Sequence, residues 1–401
     1  MTYRLLVLLA LPLVAAADWP QFLGPTRDGA SAEVVPAWTA APKVLWKQPV
    51  GEAHSSPVVA GGVVYAFTKP AGRDADALAA FDAKSGEKKW ERSYDRAKFA
   101  PKFGVGPRST PAVDGGKVYT LGGTGVLACW DAKTGDVSWK VDTLKEFKAD
   151  NLYFGVSTSP LVADGKVIVL VGGKKAGLVA FDAATGKVAW QATDDPSSYS
   201  SPLVTGTGPT GRVIALTGSH LRAVDLAGKP LWAVPFKDLL NESSTTPVVA
   251  GGLVIGSSVT AGSIALKETA GSDPEPAWKN AELSCYFSTP VAVGPHLYMV
   301  NGGLSLTPAV TLRCVEAATG KVLWARPKIG KYHAALVKTG DGKLLMLDDA
   351  GRLILIQPDP VGYKEVCRAQ VCGTTWAHPA LADGVVYVRD EKELVAVRVG
   401  K

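Results

Sequence analysis

The chain has 401 residues with 43 Lys and Arg against 37 Asp and Glu, a formal net charge of +6. That balance is modest for the length, and no Lys/Arg run marks a basic patch, which argues against a nucleic-acid role. Gly 43 and Pro 27 without a low-complexity tract suit many short strands joined by turns.

The first segment reads as an export signal. Arg4 supplies a short positive region, Leu5 to Val14 an apolar core, and Ala15 to Ala17 a small-residue cleavage site. The apolar run is shorter than the roughly 20 residues needed to span a bilayer. Residue 18 is Asp, not the Cys of a bacterial lipoprotein. The expectation is a soluble, exported, monomeric protein, periplasmic or extracellular, that begins at Asp18.

Residues 18–43 hold no period of 2 or 3.6, so they form an irregular lead whose Trp19, Phe22 and Trp38 dock on the body. Val44 to Val50 then reads as a lone strand with no repeat unit before it. From there one plan recurs to the end of the chain. Each unit opens with small polar residues and a proline, at Pro57, Pro111, Pro160, Pro202, Pro247, Pro290 and Pro379, with an Ala334-Ala335 version between the last two. Anchor spacing runs from 42 residues (Pro160 to Pro202) to 54 (Pro57 to Pro111), the range of propeller blades at about 40–50.

Within a unit, two apolar strands joined by a Gly-rich turn lead to a third strand, a tight hairpin and a fourth strand bearing Trp. The third-to-fourth hairpin is the most repeated text: AFDAKSGEKKW at 80–90, CWDAKTGDVSW at 129–139, AFDAATGKVAW at 180–190, CVEAATGKVLW at 314–324, and a shorter AVDLAGKPLW at 223–232. Asp accepts hydrogen bonds from the turn's N–H groups, Gly supplies a positive φ, and the Trp needs a neighbouring unit to bury it. The fold class is all-β: an eight-bladed β-propeller of four-stranded antiparallel blades over 44–401. The last unit lacks a Trp strand and the orphan strand carries Trp46, so the N-terminal strand closes the ring and removes open edges. Trp46, Trp90, Trp139, Trp190, Trp232, Trp278 and Trp324 fall in outer strands, and the seventh unit alone has none.

The AxDxxTGxxxW text resembles the tryptophan-docking motif of the pyrroloquinoline-quinone-type propeller repeat family. Asp18-Trp19-Pro20 with Gly24 resembles the opening of that family's alcohol dehydrogenases. The resemblance spans residues 18–401. It implies the propeller fold and two functional classes: dehydrogenases with a bound quinone, a Ca²⁺ and an Asp base, and cofactor-free scaffolds such as the propeller of the outer-membrane barrel-assembly machinery. The dehydrogenases are much longer and carry adjacent cysteines, and no Cys-Cys occurs here.

Aligning units on their prolines puts His54, Arg108, Ser157, Tyr199, Ser244, Phe287, Tyr332 and Trp376 at one offset, in loops that meet at one mouth of the axial channel. His333, His378, Tyr153, Phe154, Tyr286 and Glu242 lie close by, whereas His220 and His296 do not. Two readings stand: a binding funnel with aromatic area and His or Arg anchors, or residues that plug the channel. The candidate binding residues are His54, Arg108, Tyr199, Glu242, Phe287, Tyr332, His333, Trp376 and His378.

No catalytic or metal residue is assigned. Gly206 to Gly211 matches GxGxxG but joins two strands, Asp341 and Asp348-Asp349 lack Ca²⁺-loop spacing, and Lys98, Lys102 and Arg108 read as a solvated basic loop. Cys129 and Cys314 read as buried small residues. Cys367 and Cys372 are either bonded or free, and if they are bonded Cys285 is the odd thiol. The functional expectation is a binding or scaffold module that holds a protein, peptide or small ligand and needs no cofactor. The alternative is a quinone- and Ca²⁺-dependent alcohol oxidoreductase.

Overall fold

The computed structural model describes residues 18–269, 272–303 and 307–400, so the expected export signal lies outside the described residues. Eight four-stranded antiparallel sheets form the blades of a propeller. Seven are continuous in sequence: 58–95, 112–142, 161–192, 203–235, 248–280, 291–330 and 334–370, each running from the axis outward in chain order. The eighth combines Ala380–Ala382, Val385–Arg389 and Glu393–Arg398 with the N-terminal strand Lys43–Pro49, which lies outermost. Lys43 pairs with Arg398 and Trp46 with Ala396, so the ring closes through the expected strand.

The repeated hairpin does more than turn the chain. Asp82 accepts the N–H groups of Lys84 (3.1 Å) and Ser85 (3.0 Å), and these bonds with Lys89 hold its carboxyl at about 2. Gly86, at φ +73°, closes the turn, and a Cβ on it would lie 2.6 Å from the Trp46 ring of the preceding blade. The same approach recurs at Gly135 on Trp90, Gly186 on Trp139, Gly228 on Trp190 and Gly320 on Trp278. Each glycine is therefore required twice, by its backbone angle and by an indole seated on its bare face. The indole N–H completes the dock on a hairpin carbonyl, Trp46 to Ala83 at 3.0 Å and Trp139 to Ala183 at 3.1 Å.

Three joints depart from this dock: the Trp232 N–H reaches the Glu268 side chain (2.8 Å) and the Trp324 N–H the Asp359 carbonyl (2.7 Å), with no described glycine against either ring, and the joint from blade seven to blade eight has no Trp, which ring closure explains. Cys367 stands opposite Leu355, the register at which Trp90 stands opposite Ala80. The hairpin such a Trp would need in blade eight does not exist, because its third strand ends at Arg398 and its fourth begins at Lys43. The lead fills the place: Val35 is fully buried and Trp38 packs on the same apolar cluster, its backbone beside the Cys367 thiol. Cys367 and Cys372 are both free. Cys285 is fully buried and its thiol is pushed up to about 12, which makes it inert.

The small polar residues before each proline form a belt around the axis. Ser56 N–H donates to Thr110 Oγ1 (3.2 Å), Thr110 N–H to Ser159 Oγ (2.9 Å) and Ser159 N–H to Ser201 Oγ (2.9 Å). Thr246 donates to Thr289 Oγ1, and His378 N–H reaches Ser56 Oγ at 2.8 Å across the closure. The proline that follows has no N–H to offer and holds its predecessor extended, which aims that N–H sideways at the next blade.

The lead enters the axial channel instead of resting on the outside. Trp19 bridges Val59 of blade one, Val113 N–H donates to Pro20, and the Arg27 guanidinium caps the carbonyls of Ser159 (3.0 Å) and Pro160 (2.7 Å). Ser31 and Gly29 then bond Lys338 of blade seven. Residues 19–31 thus tie together blades on opposite sides of the channel and fill it from the end remote from the prolines.

Trp46→Ala should lower unfolding free energy by about 3 kcal/mol in urea titration, because it empties a buried indole site on the closing strand. Lys47→Ala, on the same strand but exposed, should change it by less than about 0.5 kcal/mol.

Candidate functional site

The loops that carry the chain from an outer strand to the next inner strand converge on one end of the channel. There they enclose a cavity of about 520 Å³. All eight residues at the common offset line it: His54, Arg108, Ser157, Tyr199, Ser244, Phe287, Tyr332 and Trp376. Glu242, His378, Phe154 and Tyr286 line it as well. His333 does not; it is buried behind His378, ring centroids 5.4 Å apart. Tyr153 stands on the rim, 64% exposed. His220 sits away from the cavity and bonds Asp195 at 3.1 Å.

The cavity has two unlike sides. Blades six to eight supply a continuous aromatic wall, with Phe287 5.0 Å, Tyr332 5.5 Å and His54 5.6 Å from Trp376 between ring centroids, and Tyr286 stacked on Phe287. Blades one to five add hydroxyls, Ser56 and Thr110 beside Ser159 and Ser201 at the positions that build the belt, among the separate rings of Phe103, Phe154 and Tyr199. Phe22, from the lead, closes the floor and meets the His378 ring edge-on at 5.1 Å. Sequence reading missed this residue because nothing local says that the lead runs up the axis. It also missed Phe103, Leu240 and Lys331, which lie in loops whose path is set by packing.

The polar groups are largely occupied by the protein itself. Arg108 donates to the carbonyls of Phe154 (2.8 Å), Lys102, Phe103 and Gly104, so its guanidinium staples the loop before it. His54 Nε2 faces Phe103 O at 2.7 Å, which makes it the N–H-bearing nitrogen, and burial lowers its pKa. Tyr199 OH accepts the Phe154 N–H at 3.2 Å. Glu242 takes the Tyr286 hydroxyl, and burial followed by the nearby Asp238 charge raises its pKa.

Ser288 Oγ meets His333 Nδ1 at 3.0 Å, yet both are buried and neither lines the cavity. Among the described residues Glu242 is the sole carboxylate in the lining, and no group of three or more His, Cys, Asp or Glu could hold a metal ion. A Ca²⁺ beside a quinone would draw on several oxygen ligands, of which Glu242 is the one carboxylate the described lining offers.

Fold and site together define an eight-bladed propeller of quinoprotein-type repeats with an aromatic-walled, plugged funnel. The chain belongs to the family of the outer membrane protein assembly factor BamB, whose model matches residues 28–101, 96–309 and 308–399. No curated protein sequence matches the chain. Among solved structures it is similar to BamB from Moraxella catarrhalis, with 15% identity over 90% of this chain and 98% of that one, TM-score 0.63. It is also similar to the quinohemoprotein alcohol dehydrogenase from Comamonas testosteroni, with 14% identity over 96% and 81%, TM-score 0.67. A europium-containing methanol dehydrogenase gives 13% identity over 95% and 89%, TM-score 0.62. At these identities the structures share the fold.

His333 and His378 give the funnel floor a pH signature. Burial pushes them down to about 4 and about 3, with His54 opposing protonation of His333 and His333 that of His378. Their folded values lie below the unfolded value of about 6.5, so their contribution is complete above pH 6.5 and is lost as pH falls toward 4. Melting temperature should decline over that window in the wild type. The decline should be shallower in His378→Gln.

Proposed function

We propose that this chain is an exported, non-catalytic binding module that holds a segment of a partner protein in its mouth-side funnel. The observation that carries this reading is the composition of the cavity: a broad aromatic wall with polar groups already satisfied by the protein's own loops. Such a lining offers contact area and shape, the currency of anchor residues at interfaces. Burial weakens its histidines as bases, and its carboxylate takes a tyrosine hydroxyl. The BamB family, named for an assembly factor, agrees with a scaffold role. No helix among the described residues is long and apolar enough to cross a membrane.

The alternative, a quinone-dependent oxidoreductase, draws on the fold shared with the alcohol and methanol dehydrogenases. It would need a cation site that this lining does not assemble.

Two measurements separate these readings. Pyrroloquinoline quinone with Ca²⁺ should show no stoichiometric binding in calorimetry and no dye-linked alcohol oxidation; turnover would replace the binding reading with the enzyme. Peptides selected from a random display library against the full chain should lose affinity at least about tenfold on Trp376→Ala or Phe287→Ala. Selected peptides indifferent to both variants would place binding elsewhere.

A further inference from the structure

The mouth-side loops of the first three blades carry features that the cavity leaves unused. Segments 97–104, 143–155 and 172–176 pack on one another. A Cβ at Gly155 would lie 2.8 Å from Phe99 Cε1, and one at Gly173 would lie 3.6 Å from Phe147 O and 3.7 Å from Ala149 Cβ. Six lysines stand on them, Lys98, Lys102, Lys145, Lys148, Lys174 and Lys175, all exposed and with no ion pair among the described residues. Against them stand Glu146 and Asp150 on these segments, with Asp142 and Asp194 accepting the Lys145 and Lys175 N–H groups at 3.1 and 2.7 Å, which leaves lysine in excess by two.

Two large rings sit within this crescent. Phe103 is 67% exposed and Tyr153 is 64% exposed. They start a path of rings inward: Tyr153 meets Phe154 edge-on at 4.8 Å, Phe103 lies 6.2 Å from Phe154, and Phe154 lies 5.8 Å from Tyr199 on the cavity wall. Lysines alone would be an ordinary solvated face. Exposed rings among lysines that make no ion pair are a different surface. An anionic partner gives those lysines counter-charges and, on the same face, covers the apolar area.

We propose that this crescent docks an acidic segment of a partner protein, whose carboxylates meet the lysines while its apolar side chains cover Phe103 and Tyr153 and lead on into the funnel. The proposal rests on the reading of the cavity as a partner site and adds the partner's chemistry. A polynucleotide suits the surface less well. Its evenly spaced phosphates would pass Glu146 and Asp150, and Tyr153 and Phe154 stand at 85° to each other instead of forming parallel stacking platforms.

The test uses the full chain and two labelled peptides of about 12 residues, one alternating Glu with Leu and its Lys-for-Glu counterpart, followed by fluorescence anisotropy at about 20 mM and about 300 mM salt. The acidic peptide should bind at least about tenfold tighter at low salt, with the preference shrinking at high salt. Combined Lys98→Glu, Lys102→Glu, Lys145→Glu and Lys148→Glu, at exposed positions, should abolish the preference. Trp376→Ala should weaken the acidic peptide at both salt concentrations. Loss in the lysine variant without loss in Trp376→Ala upholds the crescent and removes the cavity reading; the reverse pattern overturns the crescent alone. Equal binding of the two peptides, or no binding of the acidic one, overturns the proposal. So does tighter binding of single-stranded oligothymidylate or anionic vesicles that is lost in the same lysine variant.

Discussion

The seating of an indole on a glycine that must remain bare is the interaction on which this structure depends. A four-stranded blade has two faces and cannot bury either alone, so the ring is stable only if each blade is held against the next. The Trp of one outer strand meets the hairpin glycine of the following blade, and the hairpin's Asp keeps that turn in shape. Among the described residues five of the eight joints carry this contact, and the chain of blades must bend into a circle. Where the circle closes, the eighth blade has no such hairpin, the outer strand of the seventh blade has no Trp, and the lead takes over with Val35 and Trp38.

A second ring, nearer the axis, is made of hydroxyls and backbone N–H groups. The two rings divide the work: the outer one buries apolar area, and the inner one satisfies polar groups that converging strands leave facing the channel. The lead completes the inner region by placing Arg27 on the carbonyls of blade three and Phe22 beneath the funnel. The cavity is thus a floored cup, and its depth is set by a segment that belongs to no blade. The loops above are free to differ between blades because neither ring needs them, which is how an otherwise repetitive chain acquires an aromatic side, a hydroxyl side and a basic crescent.

The cavity lining was legible in the sequence to an unusual degree because the repeats supply their own alignment. Counting back a fixed offset from the seven anchor prolines and from Ala335 finds eight residues that all meet in space, since each blade presents the same position to the axis. The rule has limits set by geometry. His333, one residue nearer its anchor, turns behind His378 into the protein. Arg108 falls at the right offset, yet its guanidinium is consumed by four carbonyls that no local pattern announces. Lys98 and Lys102 read as a solvated loop because Lys145, Lys148, Lys174 and Lys175 are distant in sequence and join them only through loop packing.

Strand order, blade count, the closing strand and the residues at the mouth were determined by the sequence alone. Each depends on a period or on a short-range rule: alternation, a turn that needs Gly, a Trp that needs a partner. The path of the lead, the identity of the partner under each Trp, the replacement of the seventh dock and the free state of Cys367 and Cys372 were decided only in three dimensions. They depend on which surfaces meet after the ring has closed, and a non-repeating segment has no second copy against which its place can be read.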